Sequence, residues 1–150
     1  LDPEDSFDSL RRRLEVDLKT IAAQGCPRPD LIALTGDLAE WALPGEFREV
    51  RAFIEGLASH LNLKHDRVIL LPGNHDISRT ACSAYFDLCA SEEQSPKRPY
   101  WPKWKPFVEN CFRPFYMAYP QISFTEDLPW TLYVIEDLRV VVAALNSTLN

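Results

Sequence analysis

Two short polar stretches contain the residues of this chain that are best suited to chemistry. Gly36-Asp37 follows the apolar run 31–34, and Gly73-Asn74-His75-Asp76 follows the apolar run 68–71. Carboxylate and amide oxygens are ligands for divalent metal ions, and a histidine can exchange a proton near neutral pH. These residue types therefore indicate metal-assisted or acid–base chemistry.

Both stretches are expected to follow strands of one parallel sheet. Consecutive apolar residues with β-branching are typical of a strand that is buried on both faces. The Pro72-Gly73 break places Asn74 just beyond the carboxyl end of its strand, where open α/β sheets bind ligands. If strands 31–34 and 68–71 are neighbours, Asp37 and Asn74 meet at one edge.

Helices are predicted between and around these strands. Apolar residues at spacings of three and four predict helices over 6–24, from Pro44 to Leu61, and over 78–93. The predicted apolar stripe of the first helix is Phe7, Leu10, Leu14, Leu18 and Ile21. A short helix is expected near 107–115, and an antiparallel hairpin near 130–145 whose second arm is buried. The order helix, strand, helix, strand favours a βαβ unit.

Together, the Gly36-Asp37 and Gly73-Asn74-His75-Asp76 motifs resemble those of the calcineurin-like metallophosphoesterases. Residues 30–80 show the resemblance best. It implies an α/β fold, the α/β/β/α sandwich of that family, and hydrolysis of phosphate monoesters or diesters. It also implies two divalent metal ions (Mn, Fe or Zn) in the complete domain.

The resemblance assigns a role to four residues. Asp37 matches the carboxylate that bridges the two metals, and Asn74 matches a ligand that binds through its amide oxygen. His75 matches a catalytic histidine that is not a ligand, and Glu40 matches an acidic residue that orients it. Simpler alternatives are that Asp37 only caps a turn and that Glu40 is a solvated loop carboxylate. Asp76 is expected to support the turn rather than to bind metal.

Two motifs of that family are absent from this sequence, namely an earlier Asp-x-His and a later Gly-His-x-His. The histidines are His60, His65 and His75, and none of them is part of an Asp-x-His or His-x-His sequence. We therefore expect 1–150 to be a single partial domain, incomplete at both ends, in a longer parent with further domains. The isolated segment is then expected to be inactive. The alternative is a non-catalytic scaffold or sensor module.

Composition restricts the partners. The chain has 150 residues, 46% of them hydrophobic, and no apolar run of the ~20 residues that a membrane helix needs. A net charge of −6 argues against broad nucleic-acid binding, although a nucleic-acid partner stays open. The four cysteines form no C-x-x-C pair, so free thiols in a reducing, cytoplasmic compartment are expected. The expected partner is a phosphate-ester substrate, with nucleotides among the candidates.

Two further features have a structural and a functional interpretation. Residues 97–105 interleave basic and aromatic side chains, which could contact a nucleotide or a single strand. The structural interpretation is favoured, with the aromatic rings in the core and the lysines pointing outward. Asn146 is expected at the same edge as Asp37 and Asn74.

Overall fold

The computed structural model describes residues 6–149 and has a mixed α/β fold, which confirms the predicted class. Its main elements are α1 (Phe7–Ala23), β1 (Ile32–Leu34), α2 (Pro44–His60), β2 (Val68–Leu70), α3 (Arg79–Ser91), β3 (Thr131–Ile135) and β4 (Val140–Ala144). A 3₁₀ turn, His65–Arg67, precedes β2. No helix within residues 6–149 is long and apolar enough to cross a membrane.

The first two strands form a parallel pair, as predicted. Ile32 is paired with Val68, and Leu34 with Leu70. All of β2 is buried, whereas Ala33 in β1 is exposed. The expectation of strands buried on both faces is therefore correct for β2 and wrong for β1. Because parallel strands end at the same edge, the pairing brings the loops after β1 and β2 together.

Helix α1 begins where the sequence predicts, with Ser6 as its N-cap accepting a hydrogen bond from the amide of Ser9. Its stripe is only partly confirmed, since Phe7, Leu14 and Leu18 pack against the core. Leu10 and Ile21 are 44% and 45% exposed. The helix lies on the outside of α2, so only one side of the predicted stripe is covered.

Helix α2 connects β1 to β2 and contributes much of the core. Pro44 occupies the first turn, and the Glu46 carboxylate accepts hydrogen bonds from the amides of Trp41 and Leu43. Proline and a carboxylate are both favourable at a helix N-terminus. The buried face consists of Phe47, Val50, Phe53, Ile54, Leu57 and Ala58.

Residues 101–115 form one helical segment, the mixed helix, that changes type three times. It is 3₁₀ over Trp101–Trp104, α over Lys105–Phe107, π over Val108–Phe112 and α over Arg113–Phe115. Three prolines interrupt it, and each lacks the amide hydrogen that a regular helix uses. The segment nevertheless buries Trp104, Phe107, Phe112 and Phe115 in the core to which α2 contributes. Its helical turns confirm the short helix predicted near 107–115.

In the described part of the chain, tyrosine hydroxyls rather than a third strand bond the free edge of β2. The hydroxyl of Tyr133 accepts from the amide of Leu70 and donates to its carbonyl, both at 3.1 Å. The hydroxyl of Tyr116 donates to the carbonyl of Val68. Burial raises the pKa of Tyr133 to about 12, so this hydroxyl stays protonated. These bonds tie β2 to β3.

The hairpin of β3 and β4 is antiparallel, as predicted, but the expectation of a buried second arm is wrong. In β3 the residues alternate, with Thr131, Tyr133 and Ile135 facing the core. In β4 only Ala144 is buried. A strand made of valines is compatible with burial on both faces, but within the described residues nothing covers the outer face of this hairpin.

Candidate active site at the carboxyl edge of the parallel strands

Two glycines let the loops after β1 and β2 approach each other closely. A Cβ on Gly36 would lie 2.5 Å from the backbone nitrogen of Gly73, closer than any real contact. A Cβ on Gly73 would lie 2.3 Å from Oδ1 of Asp37. Gly36 also has a φ of +106°, which other residues rarely adopt. Both glycines are therefore needed to bring the two motifs into contact.

A buried carboxylate holds the two loops together. Asp76 is fully buried, and its Oδ1 accepts hydrogen bonds from the amides of Leu38 and Ala39, both at 2.8 Å. Its Oδ2 accepts from the amide of Gly73, also at 2.8 Å. Burial raises the pKa of the Asp76 carboxyl, and the amide donors oppose that rise. This confirms Asp76 as a supporting residue of the turn.

The bonding of Asp37 places the two predicted metal ligands in one small region. Asp37 has a φ of +54°, and its Oδ1 accepts a hydrogen bond from the amide of His75 at 3.1 Å. Gly73 lies against the same carboxylate. Asn74 stands between these two neighbours in the chain, so its backbone is fixed beside Asp37.

A cavity of about 290 Å³ opens beside these loops. Glu40, Asn74 and His75 all line it, so the fold brings together three of the four predicted site residues. Asp37 is not among the described residues that line it. The side chains of Glu40, Asn74 and His75 are exposed and make no hydrogen bond with any residue in 6–149. Such polar groups are free to bind a ligand.

Comparison with known proteins identifies the family. The model of the calcineurin-like phosphoesterase family matches residues 3–140. The chain belongs to this family. A probable cyclic nucleotide phosphodiesterase of Rhodococcus erythropolis (strain PR4 / NBRC 100887) is 38% identical to it over 72 residues. That match covers 48% of the chain and 22% of the relative, so the chain spans well under two thirds of this relative.

Calcineurin-like phosphoesterases generally use two metal ions, and the described residues suit such ions only in part. The Asp37 carboxylate and the Asn74 amide offer the oxygen donors that divalent cations accept. Within residues 6–149, however, no group of three or more His, Cys, Asp or Glu side chains is placed to hold a metal ion. These residues alone therefore do not complete a dinuclear site.

The cavity has four lining residues that the sequence did not single out. They are Trp41, Ile77, Arg79 and Thr80. Each lies within five positions of a predicted site residue, and that proximity is the signal that could have revealed them. Their residue types alone gave no such indication, since an arginine or a tryptophan in a loop is common on protein surfaces.

Two other candidates are buried and are not among the described residues that line this cavity. Asn146 is buried, and its Oδ1 accepts hydrogen bonds from the amide and the hydroxyl of Thr148. Trp104 in the 97–105 stretch is also buried and donates to the Thr148 hydroxyl at 2.9 Å. Lys103 is buried as well and donates to the Thr148 carbonyl, so the expectation that the lysines point outward is wrong there. The structural interpretation of the stretch therefore holds for the ring of Trp104 and fails for Lys103.

Proposed function

We propose that this chain carries part of the active site of a metal-dependent phosphoesterase that hydrolyses phosphodiesters. One observation carries the proposal, namely the contact between the two motif loops beside a cavity lined by Glu40, Asn74 and His75. A cavity at the carboxyl edge of parallel strands is where α/β enzymes bind their ligands. Family membership supports the chemistry.

Asp37 and Asn74 are the proposed metal ligands of this chain. Asp37 would bridge two divalent ions (Mn, Fe or Zn), and Asn74 would bind one of them through its amide oxygen. When bound, such ions supply positive charge against the phosphoryl oxygens and acidify a water molecule. The remaining donors would come from residues outside the described part of the chain.

His75 is the proposed proton donor to the leaving oxygen. Its ring is exposed beside the cavity and makes no hydrogen bond with a described residue, so it can reach a bound ligand. Glu40 lines the same cavity and is the proposed orienting group for the ring. A positioned acid of this kind contributes about 10²- to 10⁴-fold to a rate.

The similarity to the Rhodococcus protein supports a phosphodiester substrate that contains a nucleotide. The Rhodococcus protein is named a probable cyclic nucleotide phosphodiesterase, and the chain matches about a fifth of it. As part of the proposal, we infer that the substrate of this chain also contains a nucleotide. The four free thiols support a reducing, cytoplasmic location.

Hydrolysis of an aryl phosphodiester and an aryl phosphate monoester with added Mn²⁺ tests the proposal, using the 150-residue chain and the longer protein that contains it. We expect metal-dependent turnover by the longer protein and little or none by the isolated chain. Asp37→Ala should lower both metal content and turnover, whereas the control Asp17→Ala, at an exposed position on α1, should change neither. Robust turnover by the isolated chain would contradict the proposed division of the site.

The second candidate is a non-catalytic module that keeps the fold and binds a partner. It is favoured by the lack of a group of three metal-binding side chains within residues 6–149. A longer protein that contains no metal and hydrolyses neither substrate would support this alternative. Metal-dependent turnover that is lost in Asp37→Ala would exclude it.

A further inference from the structure

The cavity beside His75 contains an aromatic residue that the proposed chemistry does not use. Trp41 lines it, and its side chain is 70% exposed. Tryptophan is usually buried to a large extent, because its ring is large and mostly apolar. An exposed indole at the rim of a polar cavity is suited to stack on a planar ring.

The backbone around Trp41 is held in place although its side chain is exposed. The Glu46 carboxylate accepts from the amide of Trp41 at 3.2 Å and from the amide of Leu43 at 2.8 Å. Between them, Ala42 is buried and has a φ of +54°. The indole is therefore presented from a fixed loop, which reduces the entropy lost when a ligand binds.

Arg79 gives the same cavity a positive charge. It lines the cavity and forms no ion pair or hydrogen bond with any residue between 6 and 149. A free guanidinium is the side chain best suited to bind a phosphate through two parallel hydrogen bonds. Trp41 and Arg79 thus supply the two kinds of contact that an aromatic phosphate ester requires.

We propose that Trp41 and Arg79 determine substrate specificity, with a nucleobase stacked on Trp41 and a phosphate bound by Arg79. The proposal rests on the proposed function in taking this cavity as the place where the phosphate ester binds. A single nucleotide is favoured over a long strand, because the net charge of −6 opposes binding of an extended polyanion. The cavity volume of about 290 Å³ is also that of a small-molecule site.

Calorimetric titration with three probes separates the two contacts without requiring turnover. The probes are adenosine 5′-monophosphate, ribose 5-phosphate, which lacks the base, and adenosine, which lacks the phosphate. The wild-type chain should bind the complete nucleotide most tightly. Equal affinity for the nucleotide and ribose 5-phosphate would overturn the proposal.

The variants should lose affinity for different probes. Trp41→Ala should weaken nucleotide binding by about 5- to 150-fold, as expected for one stacked base, and leave ribose 5-phosphate unchanged. Trp41→Phe, which keeps an aromatic ring, should retain most of the affinity. Arg79→Ala should weaken both phosphates by about tenfold and leave adenosine unchanged. Equal losses for all probes in either alanine variant would contradict the assigned roles.

Matched controls are available at exposed positions that do not line the cavity. Leu43 is 54% exposed in the Trp41 loop and does not line the cavity within the described part of the chain. Arg12 is exposed on α1 and has no ionic partner there. Leu43→Ala and Arg12→Ala should bind every probe as the wild type does.

The two proposals fail in different ways. If the longer protein hydrolyses aryl phosphodiesters but binds the nucleotide no more tightly than ribose 5-phosphate, the role of Trp41 is wrong and the proposed phosphoesterase activity stands. If the longer protein shows no turnover but binds the nucleotide selectively through Trp41, the role of Trp41 stands and the proposed activity is wrong.

Discussion

The tetrapeptide Gly73-Asn74-His75-Asp76 contains two kinds of position. Gly73 and Asp76 are buried, and Asp76 accepts hydrogen bonds from three backbone amides. Asn74 and His75 are exposed, and their side chains have no hydrogen-bond partner within residues 6–149. The inner pair holds the two loops together, and the outer pair lines the cavity. Burial thus separates residues that support the site from residues that we propose to act in it.

Replacement of Asp76 should have the largest effect on stability. Asp76→Ala leaves the amides of Leu38, Ala39 and Gly73 buried without acceptors, so we expect a loss of about 3 kcal/mol or more. Urea denaturation measures it. Asp127→Ala, at an exposed position, is the control and should change the free energy of unfolding by less than about 0.5 kcal/mol. Similar midpoints for the two variants would show that Asp76 does not hold the loops.

Gly73→Ala should have the next largest effect. The added methyl group would meet the Asp37 backbone nitrogen at 2.4 Å, so the loops must separate. Overpacking of this kind costs about 1–3 kcal/mol. Gly45→Ala, whose nearest neighbour is a flexible arginine side chain at 3.8 Å, should not be destabilising. Thermal unfolding of both variants compares them, and equal melting temperatures would argue against the close contact.

Tyr133→Phe should lower the free energy of unfolding by a smaller amount, through the contact between β2 and β3. It removes the hydroxyl that bonds both the amide and the carbonyl of Leu70, at a cost of about 1–2 kcal/mol. Tyr119→Phe removes a hydroxyl for which the described residues provide no partner, and it is the matched control. If the two variants denature at the same urea concentration, water must bond the amide and the carbonyl of Leu70 as well as the Tyr133 hydroxyl does.

A pH-dependent contribution is expected from an exposed ion pair. Arg67 donates to Asp137 at 2.6 Å, which lowers the pKa of the Asp137 carboxyl below its ordinary value. The ion pair therefore stabilises the fold at pH values above the ordinary pKa of the Asp137 carboxyl. This stabilisation is lost as the pH falls through the lowered pKa of the folded protein. Urea midpoints of the wild type should therefore decline more than those of Asp137→Asn below about pH 4. Parallel declines would show that the pair contributes nothing.

Much of the fold could be predicted because its signals are local. An apolar run followed by Gly36 or Gly73 marks a strand and its end, and Ser6 and Pro44 mark helix starts. The parallel pairing followed from the same pattern. The sequence also indicated that Asp76 supports the turn, although its three amide partners depend on the fold.

The wrong predictions concern burial, which depends on the residues that pack against the outer side of a helix or strand. Val140 and Val141 of β4 and Leu10 of α1 lie in apolar patterns that are typical of buried positions, but they are 38%, 63% and 44% exposed. Lys103 is buried because Thr148, distant in sequence, accepts its hydrogen bond. Trp41, in the loop before α2, and Arg79, at the start of α3, line one cavity only because the fold brings these two regions together. The contact between Lys103 and Thr148 has no local signal.

Turnover and stability of His75→Ala, measured on one preparation of the proposed longer protein, test the central claim most directly. The claim is that His75 acts in the site without supporting the fold. We expect turnover of an aryl phosphodiester to fall by about 10²- to 10⁴-fold, because the proposed proton donor is lost. The free energy of unfolding should change by less than about 0.5 kcal/mol, since the side chain is exposed. Unchanged turnover, or a loss of stability as large as that of Asp76→Ala, would contradict the account.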